Sequence, residues 1–392
     1  MAKWRYTGDD SKDEDFERES RIRKKTSVLK SKNEIRKSFE RDESEWKDDI
    51  VKGLFAARVV EVHKRYVFVN PEPIVGEVNT RDVWLGTVVR KFLLSKREER
   101  NFVAVGDRVL CERAEKGAIE VKSELPQCTV VHLSPRKSQV ARIDPSQRER
   151  NHVIASNIDH LLIVSSYRNP KVRWGLIDRY LVLAESEGIS PTIILNKIDL
   201  IRDDLDFQTK CLAHVAHYRK IGYHVLEIQA TVRGFKKTNE YKELVCLFKS
   251  HITLLSGHSG VGKSSLVNQF NPEIIQSVEP IPEFYKGRHT TTFASFIRLG
   301  TGGFVIDTPG IRSFGIKKIS PFEISSCFPE MRDFITKCKY RACTHCVKPN
   351  CSVMEAVAAG ILPEWRYRSY VGILKQEELD EENRSTDPTR QI

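Results

Sequence analysis

The segment HITLLSGHSGVGKSSLVN, residues 251–268, restricts the fold more than any other. An apolar run suited to a buried strand leads into Gly257, His258, Ser259, Gly260, Val261, Gly262, Lys263 and Ser264, which fit G-x-x-x-x-G-K-S, and a helix starts at SSLVNQF. Glycines let the backbone wrap closely, so that successive N–H groups and the helix N-terminus face a β-phosphate. On either side of it in the chain, DHLLIVSS, PTIILN, YHVLEIQ and GFVIDT are short apolar runs suited to strands buried on both faces, with helix-like GLIDRYLVLAESEG and NEYKELVCLFK between them. Such alternation predicts a parallel α/β sheet with its site at the carboxyl ends of the strands.

Each polar group at these strand ends has an expected task. Lys263 would bridge β- and γ-phosphates, the Ser264 hydroxyl would bind Mg²⁺, and Ser265 would line the α-phosphate side. Asp307 ends an apolar strand, where its carboxylate can hold a water on Mg²⁺, and Gly310 offers an N–H to a γ-phosphate. In NKID, Asn196 would brace the phosphate loop, the Lys197 stem would cover the base beside Ile198, and Asp199 would accept from guanine N1–H and the 2-amino group. Adenine lacks that amino group and carries a lone pair at N1. A buried polar mismatch costs about 1–3 kcal/mol per group, and such sites discriminate by about 10⁴ or more, which favours GTP over ATP. Gln229-Ala230 follows at the distance where the Ala230 N–H can reach guanine O6. Alone, N-K-x-D is a helix-capping tetrapeptide in many proteins; the conjunction with the phosphate loop carries the argument.

The order of these parts is unusual, because NKID precedes the phosphate loop by some sixty residues. Reading on from 257 gives the phosphate loop, the threonine-rich GRHTTT (287–292) and DTPG; returning to 196 gives NKID and then Gln229-Ala230. That cyclic order is the one of an ordinary GTPase domain with its termini moved. Termini of compact domains often lie close together, so such rejoining is physically acceptable.

A chain of 392 residues with 40% hydrophobic content has room for two or three domains. Short β-like runs between about 52 and 133 predict a small closed barrel, OB-like or SH3-like. Residues 1–50 contain 14 Lys+Arg and 14 Asp+Glu, so the whole net charge of +11 lies beyond them, and a polyanion such as RNA is the partner this favours. The same residues have too little apolar surface to offset ordering entropy and read as a mobile arm, as does the tail from 377. No apolar run approaches the roughly 18–20 residues of a membrane span and no signal segment opens the chain, which predicts a cytoplasmic protein without a membrane partner. Five of the nine cysteines fall between Cys327 and Cys351, a clustering that argues for metal. Cys338, Cys343, His345 and Cys351 give four ligands for a tetrahedral Zn²⁺, although Cys346 makes a C-x2-C pair with Cys343, and spacing does not choose between it and His345.

Together SPRKSQVARID, ASNIDHLLIV, NKIDL, GHSGVGKSSLVN, GRHTTT, DTPGIRSFG and the cysteine cluster with AVAAGILPEWRYRSY give a chain that, over about residues 52–375, resembles the RsgA (YjeQ/YloQ) family of circularly permuted GTPases, which act in assembly of the small ribosomal subunit. The resemblance implies a multidomain protein: an N-terminal OB-like β-barrel that binds RNA (52–135), a central α/β P-loop GTPase domain with circular permutation (150–318) and a C-terminal α-helical zinc-binding domain (319–376). A charged flexible arm (1–51), longer than is usual for the family, and a disordered tail (377–392) would flank them. It implies one structural zinc, favours His345 over Cys346, and makes the small subunit and its rRNA the partners of a monomer that binds GTP and GDP. Thr290, Thr291 and Thr292 offer hydroxyls to Mg²⁺ and the γ-phosphate, with Thr291 as the chosen candidate. Ile311 stands where many GTPases carry a water-orienting glutamine, so intrinsic turnover should be slow, with His289 the candidate for positioning water and Lys263 completing the catalytic pair. Only 27 residues separate Gly310 from Cys338, which suggests that the loops at 287–292 and 310–316 couple nucleotide to zinc domain. The expected activity is ribosome-stimulated GTP hydrolysis in late small-subunit maturation. Its alternatives are an RNA-binding zinc and OB protein with a nucleotide switch and negligible hydrolysis, or an ATP-using P-loop enzyme.

Overall fold

The computed structural model describes residues 41–63, 66–72, 83–89, 103–115, 125–143, 151–249, 251–270, 295–299, 303–307, 321–341, 343–346 and 350–385. A 3-10 turn at Glu43–Trp46 and helix α1 (Lys47–Val51) precede five strands, β1 (Phe55–Val62), β2 (Val67–Pro71), β3 (Trp84–Val88), β4 (Arg108–Ala114) and β5 (Gln127–Leu133). They close in the order β1-β2-β3-β5-β4, with β3 parallel to β5 and β4 returning to β1. This five-stranded barrel with a crossed-over strand is the OB architecture rather than the SH3-like one. Alternate residues of β1, Phe55, Ala57 and Val59, point into a core shared with Val69, Val109 and Val130.

The stretch just before the barrel departs from the expectation of a free arm up to residue 51. Trp46 is 2% exposed, with the Arg108 guanidinium 5.9 Å from its ring centroid. Glu43 pairs with Arg108 and accepts from Ser134 Oγ at 3.0 Å, while Arg41 pairs with Asp49 at 2.6 Å. One large ring supplies the apolar area that the charged run lacks, and Arg41, Glu43 and Asp49 meet charged partners. Residues 1–40 lie outside the described ones.

A hairpin of β6 (Gln139–Ile143) and β7 (Asn151–Ser156) fills the interval expected between barrel and sheet. Buried Asp107 fastens the two together, accepting from Arg136 Nε at 2.8 Å, Ser156 Oγ at 2.5 Å and the Ala104 amide at 2.7 Å. Gly106 (φ +92°) lies so close to the Ser156 carbonyl that any Cβ would collide with it.

Next come β8 (His160–Ser166), α2 (Trp174–Glu187), β9 (Ser190–Asn196), α3 (Leu205–Lys220), β10 (His224–Glu227), α4 (Asn239–Phe248), β11 (Ile252–Ser256), α5 (Lys263–Gln269), β12 (Ser295–Arg298) and β13 (Phe304–Asp307). The sheet order is β10-β9-β8-β11-β13-β12, parallel except for β12. Alternating residues of β8 serve two cores: Leu161 and Ile163 pack on one face with α2 and α3, and Leu162 and Val164 on the other with α4 and α5. Helix α3 is capped by Asp204, whose side chain accepts from the Phe207 amide.

Helices α6 (Pro321–Ser326), α7 (Arg332–Ile335), α8 (Ser352–Ala358) and α9 (Glu364–Ser385) form the C-terminal unit. Helix α9 thus continues past 377 into the stretch expected to be disordered, through residues such as Glu and Leu that favour helix. The core of this unit, with Ile324, Phe328, Met331 and Tyr370, also takes in Val182 of α2. At the same seam Arg366, 1% exposed, contacts Asp178 at 2.5 Å and Glu330 at 2.5 Å, and the Tyr218 hydroxyl donates to Asp178 at 2.5 Å. Burial works against a charged Glu330, but bonds from His217 and Arg366 outweigh it and hold the carboxyl down to about 2. Removing one partner of such a buried set costs about 3–5 kcal/mol, because the others stay buried without compensation.

At the opposite end of the sheet from the strand tips, the His160 and His251 rings meet edge-on with centroids 4.7 Å apart. Burial, then His251, lower the His160 pKa against the opposing pull of Asp159. A histidine held neutral in the fold and free to protonate when unfolded contributes stability above the unfolded pKa of about 6.5 and loses it as pH falls below that. Thermal unfolding followed between pH 7.5 and 5.5 should show a falling Tm whose slope is shallower in His160→Phe; an unchanged slope would exclude His160 as its source.

Candidate nucleotide and metal sites

The carboxyl ends of β8, β9, β10, β11 and β13 emerge at one edge of the sheet, where an open α/β sheet places its ligand. Strand β11 delivers the loop 257–262 in three left-handed steps, Gly257 (φ +144°), Gly260 (φ +81°) and Gly262 (φ +102°). Two of these glycines are also required by contact. A Cβ on Gly257 would strike the Val164 carbonyl of β8, and one on Gly262 would strike the Asn196 side-chain amide. Lys263 lies back across the loop, its Nζ donating to the carbonyls of Gly257 at 2.8 Å and His258 at 3.1 Å. His258 Nδ1 is 2.9 Å from the Ser259 carbonyl. Ser264 is exposed in the first turn of α5, and Ser265 is half-buried beside it.

NKID meets this loop directly. Asn196, at the end of β9 and 3% exposed, donates from Nδ2 to the Val261 carbonyl at 2.9 Å. Its Oδ1 accepts from the Lys197 amide at 2.8 Å and the Ala230 amide at 3.1 Å. One side chain therefore joins three segments. Lys197 adopts φ +61° and sends Nζ to the Gly260 carbonyl at 2.7 Å and to the Asn169 carbonyl. Ile198 packs against the sheet core and opens the 3-10 turn Ile198–Ile201, whose second residue, Asp199, is half-buried. The Ala230 amide, expected to face a guanine O6, instead braces Asn196.

On the other side of β11, the parallel register pairs Leu255 with Asp307, which sets the end of β13 level with the start of the phosphate loop. His289, Thr290, Thr291, Thr292, Gly310 and Ile311 lie outside the described residues, as do the loops at 287–292 and 310–316. Tyr180 and Asn169 escaped the sequence reading. Buried Tyr180 of α2 lines one cavity with Gly257, His258 and Val261, which brings its hydroxyl towards the Ser256 side chain and the Gly257 backbone. An aromatic in a helix's apolar stripe carries no signal that its hydroxyl reaches a loop some eighty residues on.

The cysteine cluster gathers as a second site. Donor atoms of Cys338, Cys343, His345 and Cys351 all lie within 4.8 Å of one another. Cys338 Sγ and Cys351 Sγ are each 3.4 Å from His345 Nδ1 and 3.9 Å from each other. Bonds of about 2.3 Å to sulfur and about 2.0 Å to nitrogen in a tetrahedron put ligand atoms about 3.5–3.8 Å apart, so the set fits such a cation. Of the two candidates that spacing left open, the fold gathers His345 with the three cysteines, and Cys346 is not in the group. Tyr367 and Tyr370 hold the ligand loop from α9, donating to the His345 carbonyl at 2.7 Å and the Thr344 carbonyl at 2.8 Å. Burial lowers the His345 pKa, which suits a neutral imidazole ligand.

Comparison with known proteins agrees with this geometry. The sequence model of the RsgA GTPase family matches residues 133–317. Small ribosomal subunit biogenesis GTPase RsgA of Flavobacterium psychrophilum is 34% identical over 298 residues, covering 76% of this chain and 86% of that protein. The RsgA of Flavobacterium johnsoniae is 36% identical, with 76% and 87% covered. Among solved structures, YjeQ from Thermotoga maritima superposes with a TM-score of 0.61 at 27% identity, over 83% of this chain and 98% of that one. YloQ, a circularly permuted GTPase, does so with a TM-score of 0.60 at 27% identity, over 83% and 95%.

Replacing Asn196 by Ala strands the Val261 carbonyl and the Ala230 amide, each a buried polar group worth about 1–3 kcal/mol. Asn196→Ala should weaken GDP binding in a calorimetric titration by about tenfold or more. Wild-type affinity in that variant would show that the three segments hold their places without it.

Proposed function

The chain belongs to the RsgA GTPase family, and from that premise we propose that it hydrolyses GTP to GDP and phosphate under stimulation by the small ribosomal subunit, in late maturation of that subunit through rRNA binding. The observation that carries the reading is Asn196, which ties the guanine-reading segment to the phosphate loop although the two are far apart and inverted in the chain. Relatives bearing the small-subunit biogenesis name supply the partner. The exposed Lys337, Lys339, Tyr340 and Arg341 beside the metal ligands support an RNA contact, since cations there would displace counterions and the ring offers a base a stacking face.

In the proposed mechanism Gly257, His258, Ser259, Gly260, Val261 and Gly262 wrap the phosphates with backbone N–H groups. Lys263 exchanges its loop carbonyls for β- and γ-phosphate oxygens. Asn196 fixes the loop, the Lys197 stem with Ile198 flanks the base, and Asp199 accepts from guanine. Ser264, Thr291 and Asp307 would hold Mg²⁺, which supplies charge neutralisation at the transferred phosphoryl group. Gly310 donates to the γ-phosphate, His289 orients the attacking water, and Ser265 lines the α-phosphate side. Cys338, Cys343, His345 and Cys351 hold one structural Zn²⁺, with thiolate and imidazole donors that suit this ion. The domains are taken as an OB-like barrel (52–135), GTPase (150–318) and zinc-binding unit (319–376). The protein works as a monomer in the cytoplasm; among the described residues no helix is long and apolar enough to cross a membrane.

Phosphate release measured with and without purified small subunits tests the reading. Unstimulated turnover should lie roughly at or below the 10⁻³ s⁻¹ scale and rise about tenfold or more with subunits, and His289→Ala should lose most of the rise. No stimulation would overturn the proposed partner, and full stimulation of His289→Ala would remove that residue from the mechanism.

A further inference from the structure

Helix α2 carries two separate contact stripes. Ile177, Tyr180, Leu181 and Ala184 recur at helical spacing and pack on the sheet. Asp178, Val182 and Glu185 form a second stripe that faces the C-terminal unit. Asp178 holds Arg366 of α9 at 2.5 Å, Val182 lies in the C-terminal core, and Glu185 pairs with Arg332 of α7 at 2.7 Å. From the sheet-side stripe, Tyr180 lines one cavity with Gly257, His258 and Val261, its hydroxyl towards Ser256 and Gly257, where the phosphate loop begins. That loop residue has little freedom, since Gly257 is already pressed against the Val164 carbonyl. The helix is thus the shared wall of the nucleotide site and the metal-binding unit.

We propose that Tyr180 is a positioning residue for the phosphate loop, and that the Arg366–Asp178–Glu330 lock sets its position through α2, so that movement of the metal-binding unit changes nucleotide affinity. This route is distinct from the connection through residues 310–320, and it rests on the guanine-nucleotide reading above. Arg366 is buried between carboxylates of two elements, so the lock tolerates little sliding. A tilt of α2 would be felt at its opposite stripe, where the tyrosine hydroxyl meets the loop.

Two sites with no shared partner give multiplicative effects; linked sites do not. The test is a double-mutant cycle on the full chain with Tyr180→Phe, Glu330→Gln and both together, reading mant-GDP affinity by fluorescence and Tm by thermal unfolding. Tyr180→Phe should weaken mant-GDP about three- to tenfold and Glu330→Gln about two- to fivefold, while Glu330→Gln added to Tyr180→Phe should change affinity by less than about 1.5-fold. The Tm loss from Glu330→Gln should be the same in both backgrounds, which separates coupling from destabilisation. If Glu330→Gln does not fold, Arg332→Gln at the exposed rim of the same stripe runs the same cycle, with a factor of about twofold that also vanishes beside Tyr180→Phe. Factors that multiply, or a Tm loss with no change in affinity, would overturn the proposal and leave the nucleotide reading intact. A wild-type chain that binds no mant-GDP would overturn both.

Discussion

A single buried amide holds the site together. Asn196 donates to the Val261 carbonyl of the phosphate loop and accepts from the Lys197 and Ala230 amides, so three segments share one side chain. The absence of a Cβ at Gly262 is what lets the amide approach. A buried polar side chain with three such bonds is costly to displace, because each partner would be left unsatisfied. Chain connectivity is irrelevant to this contact. β9 and β11 lie on either side of β8 in one parallel sheet, so their tips come close whichever is synthesised first. Permutation is therefore compatible with an ordinary GTPase site: the sheet order and the amide carry the geometry, and the breaks in the chain fall elsewhere.

Permutation also changes what lies next to the site. With the phosphate loop late in the chain, the metal-binding unit follows directly after β13 and folds back on α2 and α3 through Arg366, Asp178 and Glu330. The barrel is joined at the other end by Asp107, Arg136 and Ser156. Both outer units are thus attached to the nucleotide domain by buried ionic or charge-assisted contacts. Such contacts demand exact geometry and are weak evidence for added stability, but they fix orientation.

Local signals made much of this legible. The glycine-rich loop, NKID and the cysteine cluster each concentrate their chemistry within a few residues, and the short apolar runs gave the buried strands because a strand covered on both faces has no polar alternation to hide it. Long-range partners were not legible. Asp178 reads as a polar position on an amphipathic helix until Arg366, 188 residues away, is seen beside it. The position of Ala230 after NKID points its amide at the base, and its partner Asn196 lies on another strand, out of reach of any local signal. Residues 42–51 looked solvated because their charge count hides the one ring, Trp46, that anchors them. In the metal site the spacing allowed two histidine-or-cysteine choices, and only the fold of the loop, pinned by Tyr367 and Tyr370, separates them.

The central claim is that Asp199 reads the base beside a phosphate loop that begins fifty-eight residues later in the chain. Its carboxylate suits two donors, guanine N1–H and the 2-amino group, whereas an asparagine amide suits one donor and one acceptor, as xanthine presents with N1–H and a 2-oxo group. The most direct measurement is a titration of Asp199→Asn with GDP and xanthosine diphosphate. The account predicts that GDP affinity falls by about a hundredfold or more while xanthosine diphosphate becomes the preferred ligand; unchanged GDP affinity with no gain for xanthosine diphosphate would contradict it.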